Sequence, residues 1–513
     1  MKHYSDLEYL KLSKWQRFQY RFLSFFAGIP KAIWGLIVAI GTWFKNAGLA
    51  IGREAKDIVQ TFVQGDWKTK VSYLVMGFGC LARGQILRGL LFLLFEVVFI
   101  GYMIIAGGHW LGMLGTLGTV GPHEEYSEVL DTYTTVYGDN SFKILLYGVL
   151  TMFFIVAFIY TWRVNVKQNK LAEEILRSGK KLRSGKDDLR SLVDDQFHKT
   201  LLALPLTGIL IFTVMPIVFM ILVAFTNYDG AHDGYYSNLF TWVGMKNFNT
   251  LFSWSSGGVN YAATFGEILA WTLMWAFFAT FTNYFLGMIV AMIINKKGIK
   301  LKKVWRTILV LTIAIPQFIS LLYVSKMFAK NGIINGFLLD LGWIDKAIDF
   351  WGDTANHGLL ARVTVILVNI WIGIPYLMLI ATGILMNIPA DLYESAKIDG
   401  ANAWQQYTKI TLPYMLFITG PYLLTSFTGN MNNFNVIYLL TGGAPTNAAA
   451  SGAAGSVGYT DLLITWLFKI TMGAESQYYL ASVVGIMVFV IVALISLIVY
   501  NVLPSIKNEE DFQ

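Results

Sequence analysis

Residues 387–413 read NIPADLYESAKIDGANAWQQYTKITLP, a polar and charged stretch between two long apolar segments. Pro389 and Asp391 favour a helix start, and Gly400 can adopt the left-handed conformation that ends a helix without a Cβ clash. A second short helix, over residues 402–410, is expected to stop before Pro413, which has no backbone N–H to donate. The stretch therefore predicts a compact helix-turn-helix at a membrane surface, where another subunit can bind it.

The composition of the whole chain is that of an integral membrane protein. Among 513 residues, 55% are hydrophobic and 14% are charged, whereas charged residues make up about 25% of soluble domains. A helix needs roughly 20 mostly apolar residues to cross the hydrocarbon core of a bilayer. The chain has no alternation typical of barrel strands, so we expect its apolar segments to be helices. Eight segments pass the length test, approximately at residues 86–106, 143–162, 201–225, 266–294, 305–328, 363–386, 414–440 and 480–503.

The basic residues predict the orientation of the chain, because Lys and Arg accumulate in cytoplasmic loops. The N-terminal region and residues 163–200 and 296–303 are basic, while the loops between them are acid-leaning or neutral. We therefore expect a multi-pass protein of the bacterial plasma membrane, with both termini and the 394–413 loop in the cytoplasm. The net charge of +7 reflects this asymmetry, so no nucleic-acid partner is expected.

Residues 1–85 allow two interpretations. Aromatic and basic side chains interleave near the start, which predicts an amphipathic helix on the anionic lipids of the inner leaflet; the aromatic residues are Trp15, Phe18, Phe22, Phe25 and Phe26. Residues 32–44 are apolar but short for a span. We favour a surface or partly embedded helix there. The alternative is that these residues form a ninth span, paired with the short apolar segment 71–82.

The seventh predicted span carries many side-chain amides. At 100° per residue its polar residues form two faces: Tyr422, Ser426, Asn430 and Asn433 on one, and Thr425, Thr428, Asn432 and Asn435 on the other. Each face must meet protein or water, because amides are costly to expose to lipid. We interpret the first as a neutral hydrogen-bonding wall suited to hydroxyl groups and the second as interhelical hydrogen bonding. Pro316 and Pro375 can bend the fifth and sixth predicted spans.

The sequence gives no support to catalysis or to ion-driven transport. It contains no Gly-rich loop ending in Gly-Lys-Ser/Thr, no His-Glu-x-x-His and no Gly-x-Ser-x-Gly. The lone cysteine, Cys80, and six unclustered histidines predict neither a metal site nor a cofactor. Glu96 is the main acidic residue inside a predicted span, and one isolated glutamate is a poor proton relay. We expect it to be paired in the bundle interior or near an interface.

The spacing in the opening stretch resembles the EAA loop of permease subunits in binding-protein-dependent ABC importers. The matching residues are Glu394, Ser395, Ala396, Gly400, Ile410, Leu412 and Pro413. Ser395 stands where alanine is usual, a small-for-small change that should preserve packing. The resemblance implies that this loop docks into a cytoplasmic ATPase subunit and transmits its closure.

A closer resemblance, from about residue 200 to the C-terminus, is to the MalF family of maltose/maltodextrin permease subunits. It rests on five short segments: residues 224–228 (AFTNY), 245–248 (MKNF), 371–376 (WIGIPY), 432–434 (NNF) and 458–463 (GYTDLL). The implied sugar-site residues are Ile372, Gly373, Tyr376, Ser426, Asn430 and Asn433. Gly429 stands where the maltose subunit has phenylalanine, and the large external insertion of enteric members is missing.

The resemblance also implies a fold, partners and a segment division. The fold is all-α, a type I ABC importer permease with a MetI-like core and about eight spans. The implied partners are a second homologous permease, an ATPase dimer, an extracellular or lipid-anchored solute-binding protein, a sugar and membrane lipids, so the chain would be a transport subunit and not an enzyme. Alternatives are a permease for another oligosaccharide or glycerol phosphate, and a stand-alone secondary transporter. The expected segments are 1–85 (membrane surface), 86–199 (two spans and basic linker), 200–505 (permease core with the 389–413 loop) and 506–513 (cytoplasmic tail).

Overall fold

The computed structural model describes residues 13–233, 238–254, 260–296, 298–450, 452 and 455–502. The predicted tail, residues 506–513, lies outside these described residues, as do the aromatic side chains of the predicted amphipathic face. The chain divides into two compact units, Ile37–Asn247 and a second that joins Met1–Leu36 to Phe248–Gln513. The segment division made from the sequence stays a prediction.

The first half of the described chain is helical with one small hairpin. Its elements are α1 (Lys14–Gln64), α2 (Trp67–Val71), α3 (Phe78–Leu81), α4 (Ile86–Met113), β1 (His123–Ser127), β2 (Thr132–Val136), α5 (Ser141–Arg177), α6 (Gly185–Val193) and α7 (Phe197–Val223). The strands pair antiparallel, with His123 opposite Val136. This hairpin between the first two spans was not predicted, although Thr and Tyr in β2 are typical of strands.

The second half is also helical. Its elements are α8 (Lys246–Phe252), α9 (Tyr261–Asn295), α10 (Lys302–Ala314), α11 (Gln317–Met327), α12 (Ile333–Asp340), α13 (Leu359–Leu385), α14 (Ala390–Ile398), α15 (Ala403–Met431), α16 (Phe434–Leu440), α17 (Leu463–Met472) and α18 (Tyr478–Val502). Two buried clusters pack α9 and α13 against later helices. The cluster with Trp275 and Val365 includes Val436 of α16, and the cluster with Met288 includes Met415 of α15.

In the described chain seven helices are long and apolar enough to cross a membrane, and α10 with α11 makes an eighth span if the bent pair counts as one. This agrees with the predicted all-α, eight-span fold. The two helices of the pair meet at 89°. This confirms the bend expected at Pro316. Its cause is that proline restricts the residue before it to extended conformations, and Ile315 is extended at φ −81°, ψ 124°. Helix α13, in contrast, continues through Pro375.

The possible ninth span does not form in the described chain. Residues 32–44 lie within the 51-residue helix α1, which is not among the candidate spans. Residues 71–82 are broken by Gly77, whose φ is +81°. The break is held by polar contacts, since Asn165 donates to the Ser72 carbonyl at 2.8 Å and Asn169 donates to the Ser72 hydroxyl at 2.9 Å. A polar, kinked segment of this kind cannot cross lipid.

Glu96 is paired in the interior of its unit, as the sequence predicts. Its side chain is buried and accepts a hydrogen bond from the Met76 backbone N–H at 2.8 Å. The contact ties α4 to the irregular segment before α3. A carboxylate hydrogen-bonded in this way has a structural role, and its presence in a span does not require a role in proton or ion transport.

The predicted seventh span, residues 414–440, is two helices and not one. Helix α15 ends at Met431, Asn432 leaves the helical conformation at φ −103°, and α16 begins at Phe434. The Asn433 side chain caps α16 by accepting from the Val436 N–H at 3.3 Å. Asparagine competes for backbone hydrogen bonds in this way more readily than apolar residues do, so the run of asparagines ends the helix.

Candidate substrate cavity and coupling loop

A cavity of about 430 Å³ lies within the second unit, beside the break between α10 and α11. Every predicted substrate residue lines it: Ile372, Gly373, Tyr376, Ser426, Asn430 and Asn433. Tyr422, which the sequence analysis placed on the same hydrogen-bonding face, lines it too. Polar residues that the sequence analysis did not assign to the site also line it: Asn283, Thr312, Gln317, Ser320 and Asn369. None of the lining side chains in the described chain is charged. A cavity of this size and polarity suits a neutral ligand with hydroxyl groups.

Asn283 of α9 and Asn369 of α13 are the most informative of the added residues. Both side chains are 6% exposed. The Asn283 Nδ2 group donates to the Asn369 carbonyl at 3.4 Å, while Asn283 Oδ1 and Asn369 Nδ2 have no hydrogen-bond partner among the described residues. Buried amide groups are almost always hydrogen-bonded. The unpaired acceptor and donor therefore mark positions where a ligand or water hydroxyl would bind.

Asn430 of α15 is fixed by contacts with α9, and Asn433 is held by Asn430. Asn430 Nδ2 donates to the Thr280 hydroxyl at 3.0 Å, and the Asn430 carbonyl accepts from the Trp275 indole at 3.1 Å. Asn433 Nδ2 donates in turn to Asn430 Oδ1 at 3.3 Å. Thr280 lies in a π-turn, Phe278–Thr282, which changes the phase of α9 just before Asn283. Such turns recur at functional sites because they redirect side chains.

Gly373 makes room for one of these amides. A Cβ added at Gly373 would overlap the side-chain amide of Asn283. The space beside this glycine is therefore filled by a polar side chain of α9. At Gly429, where the maltose subunit has phenylalanine, an added Cβ would meet nothing within 4 Å.

The second polar face of the predicted seventh span does not make the interhelical bonds expected of it. Thr425 donates to the Pro421 carbonyl at 3.0 Å, and Thr428 donates to the Thr425 carbonyl at 3.0 Å, both within α15. Asn432 and Asn435 are exposed in the isolated chain. The prediction was wrong for the two threonines, because a threonine hydroxyl in a helix can bond to a carbonyl of its own preceding turn. For Asn432 and Asn435 it stays a prediction.

The 389–413 loop begins with the predicted helix and turn. Helix α14 starts after Pro389, with Asp391 in its first turn, and contains Glu394, Ser395 and Ala396. Gly400 has a φ of +75°. The Ala401 N–H donates to the Ala396 carbonyl at 2.8 Å and the Gly400 N–H to the Lys397 carbonyl at 3.0 Å. This pair of bonds is the Schellman motif, which satisfies the last carbonyls of a helix.

The expectation that the second helix stops before Pro413 was wrong. Helix α15 starts at a capping box made by Asn402 and Gln405 and continues without interruption to Met431. A π-turn, Tyr407–Thr411, contains Ile410 and immediately precedes Leu412 and Pro413. Because the hydrogen-bond pattern already changes at this turn, the missing N–H of proline interrupts little.

The loop is polar, with three large exposed apolar side chains, Leu392, Ile398 and Trp404. The two most exposed flank the Gly400 turn, Ile398 at 86% and Trp404 at 70%. Tyr393 of α14 bonds to Thr411 of α15 through their hydroxyls at 2.9 Å, which fixes the angle between the two helices. A rigid turn flanked by exposed apolar residues has the form of a docking knob.

The GYTDLL segment, residues 458–463, has a structural role in its unit. The Asp461 carboxylate accepts from Lys469 Nζ at 2.6 Å, the Gly458 N–H at 2.7 Å and the Thr465 hydroxyl at 2.9 Å. Its side chain is fully buried. Burial raises the pKa of the Asp461 carboxyl, and the Lys469 ammonium offsets part of that rise. The contacts tie the loop before α17 to the helix itself.

We expect Asp461→Asn to destabilise the protein, because it leaves the Lys469 charge without its partner. Removing one member of a buried ion pair costs about 3 kcal/mol or more. The lower end applies because Lys469 is 21% exposed. Thermal unfolding in detergent measures the loss, and the double variant Asp461→Asn/Lys469→Gln should regain part of it. An unchanged melting temperature in the single variant would contradict the anchoring role.

Comparison with known proteins shows where this architecture belongs. Residues 283–508 match the family described as "Binding-protein-dependent transport system inner membrane component". The maltodextrin transport system permease protein MalC of Streptococcus pneumoniae is 31% identical over 450 residues, 86% of this chain and 97% of that protein. The galactooligosaccharides transport system permease protein GanP of Bacillus subtilis is 33% identical over 443 residues, 85% of this chain and 97% of that protein. The maltose/maltodextrin permease MalF of Vibrio parahaemolyticus is 36% identical over 259 residues, 50% of this chain and 47% of that protein.

The membrane-spanning helices and the uncharged cavity beside a broken helix define a polytopic membrane permease. The relationship to MalC covers most of both chains, so it extends well before residue 200, where the sequence resemblance was placed. The chain belongs to the permease subunits of binding-protein-dependent sugar ABC importers, of the maltodextrin and oligosaccharide type. The predicted family is confirmed.

Proposed function

We propose that this chain carries a neutral oligosaccharide through the 430 Å³ cavity during ATP-driven import. The observation that carries the proposal is the uncharged lining with its two unpaired buried amides, Asn283 and Asn369. Sugar hydroxyls donate and accept hydrogen bonds, so they match both amide groups at once. Tyr376 is half-exposed toward the same cavity and offers an aromatic face to a sugar ring.

The chemistry of the cavity bears on the alternatives. A glycerol phosphate site would need cations, because phosphate is bound by Arg, Lys or helix N-termini. An ion-driven transporter would need titratable groups near its substrate. The described lining has no Arg or Lys to pair with a phosphate, and no Asp, Glu or His to carry a coupling ion. The similarity to GanP supports a galacto-oligosaccharide as a second candidate substrate.

The 389–413 loop is proposed to couple the cavity to ATP hydrolysis on a partner. In this proposal the loop lies in the cytoplasm with both termini, and Glu394, Ser395, Ala396 and the Gly400 turn dock into an ATPase subunit. Ile398 and Trp404 supply apolar contact area on the exposed surface of the knob. Ile410, Leu412 and Pro413 transmit motion, because they lie at the start of the continuous helix α15, which also carries Ser426 and Asn430. A displacement of the loop is therefore transmitted to the cavity along helix α15.

The remaining partners follow from the family. A second homologous permease would complete the pathway, an ATPase dimer would grip both permeases, and an extracellular binding protein would deliver the sugar. Closure of the ATPases would open the cavity outward, and hydrolysis would return it to the inward-facing state. The 89° break between α10 and α11 supports this scheme, since transporters place broken helices at the sites that exchange substrate.

Reconstitution in proteoliposomes tests the function. The chain is combined with the second permease, ATPase and binding protein encoded beside it, and uptake of maltodextrins, galacto-oligosaccharides and glycerol phosphate is measured. We expect uptake of a neutral oligosaccharide that requires both ATP and the binding protein. Uptake by this chain alone under a proton gradient, or a preference for glycerol phosphate, would contradict the proposal.

A further inference from the structure

A second cavity, of about 460 Å³, lies in the unit Ile37–Asn247 and differs chemically from the substrate cavity. It is formed by the start of α4, the end of α5 and the segment that leads into α6. Four cations line it, Arg88, Lys180, Lys181 and Arg183, together with glutamine and aliphatic side chains. No acidic residue is among its described lining. The cavity therefore suits an anion with an apolar part.

The four cations are only partly neutralised. Arg88 pairs with Asp188 at 2.6 Å, and Arg183 pairs with Asp195 at 3.3 Å. Lys180 and Lys181 have no ion-pair partner among the described residues. Both lysines are exposed, so two uncompensated positive charges are available at one cavity. A bound anion would pair with them.

A buried glutamine points to hydroxyl groups on the same ligand. Gln85, directly before α4, is 4% exposed and lines the cavity, and its Oε1 atom has no hydrogen-bond partner among the described residues. An amide oxygen can only accept, so it needs an O–H or N–H donor. A phosphate diester has no such donor, whereas a glycerol group attached to it has hydroxyls. The unpaired acceptor beside the lysines suits a phosphate ester whose other group carries hydroxyl donors, as glycerol does.

We propose that this cavity binds a glycerophosphate group, with the phosphate on Lys180 and Lys181 and a glycerol hydroxyl on Gln85. The group can belong to an anionic phospholipid such as phosphatidylglycerol or to soluble glycerol phosphate. Leu171, Ile175 and other aliphatic side chains extend the lining beyond the cations, which favours the lipid. The basic segment 163–200 is also the part of the chain expected at the cytoplasmic leaflet, where anionic headgroups attract lysine.

The test uses the assembled importer in nanodiscs and two site variants, Lys180→Gln/Lys181→Gln and Gln85→Leu. The matched control is Lys186→Gln/Lys199→Gln, which removes two exposed cations of the same segment that do not line the cavity. One arm measures retention of phosphatidylglycerol by native mass spectrometry. The other measures binding of radiolabelled glycerol 1-phosphate, and of inorganic phosphate, in phosphatidylcholine nanodiscs.

We expect the site double variant to lose about 30-fold in affinity, because each lysine contributes about 1 kcal/mol to binding of an anionic headgroup. Gln85→Leu should weaken glycerophosphate binding more than it weakens the binding of inorganic phosphate, and the control should behave as wild type. Loss in the lipid arm identifies a phospholipid, and loss in the soluble arm identifies free glycerol phosphate. Equal binding by all variants, or equal loss in the control, would overturn the proposal. An unaffected Gln85→Leu variant would overturn the hydroxyl contact.

Discussion

Gly400→Val is expected to uncouple ATP hydrolysis from sugar uptake. Gly400 has a φ of +75°, and a β-branched residue in that conformation costs about 1–3 kcal/mol. No atom lies within 4 Å of an added Cβ, so the effect acts through the backbone of the turn and not through a clash. We expect uptake to fall about tenfold or more while ATPase activity per complex persists. Parallel assays of uptake and phosphate release in proteoliposomes measure the ratio.

Gly179→Val provides the matched control for this prediction. Gly179 has a φ of +73°, and an added Cβ there also meets nothing within 4 Å. The substitution imposes a similar backbone strain outside the coupling loop, so it should leave the ratio of uptake to hydrolysis unchanged. Charge reversal in Glu394→Lys should uncouple in the same direction as Gly400→Val. Wild-type uptake in both loop variants would show that this knob does not transmit the motion.

Local sequence signals predicted those parts of the fold that one residue type determines. Pro316 broke the fifth span because it constrains Ile315 whatever surrounds it. Gly400 ended α14 because its left-handed conformation completes the hydrogen bonds of the last turn. The prediction that Pro413 ends a helix was wrong, because the effect of a proline depends on the hydrogen bonds around it. The π-turn before Pro413 already changes the backbone hydrogen bonds that the proline would otherwise break.

The substrate cavity was predicted on one helix but not across helices. The face with Ser426 and Asn430 follows from the period of α15 alone, and the cavity contains it. Asn283 and Asn369 each stand as single amides in long apolar spans, a signal visible in the sequence. Only the packing of α9 against α13 shows that the two amides meet. Asn433 reached the cavity for a different reason than the predicted one, because it caps α16 after the helix has ended.

Gly373→Ala is expected to reduce uptake while leaving assembly intact. The added methyl group must displace the Asn283 amide, which lines the cavity and has an unpaired acceptor. A misplaced hydrogen-bonding group costs about 1–3 kcal/mol, so uptake at low sugar concentration should fall about tenfold or more. Binding-protein-dependent uptake over a range of sugar concentrations measures the change, with co-purification of the partner subunits as the check on assembly.

Gly383→Ala, ten residues further along α13, separates this effect from helix propensity. Gly383 is exposed, and an added Cβ there meets nothing within 4 Å. Alanine stabilises a helix relative to glycine by about 1 kcal/mol, so both variants gain the same stability from helix propensity. Only the Gly373 variant disturbs Asn283, and Asn283→Ala in the Gly373→Ala background should cost little more, because the amide is already displaced. If Gly373→Ala transports as well as Gly383→Ala does, the Asn283 amide does not contact the sugar.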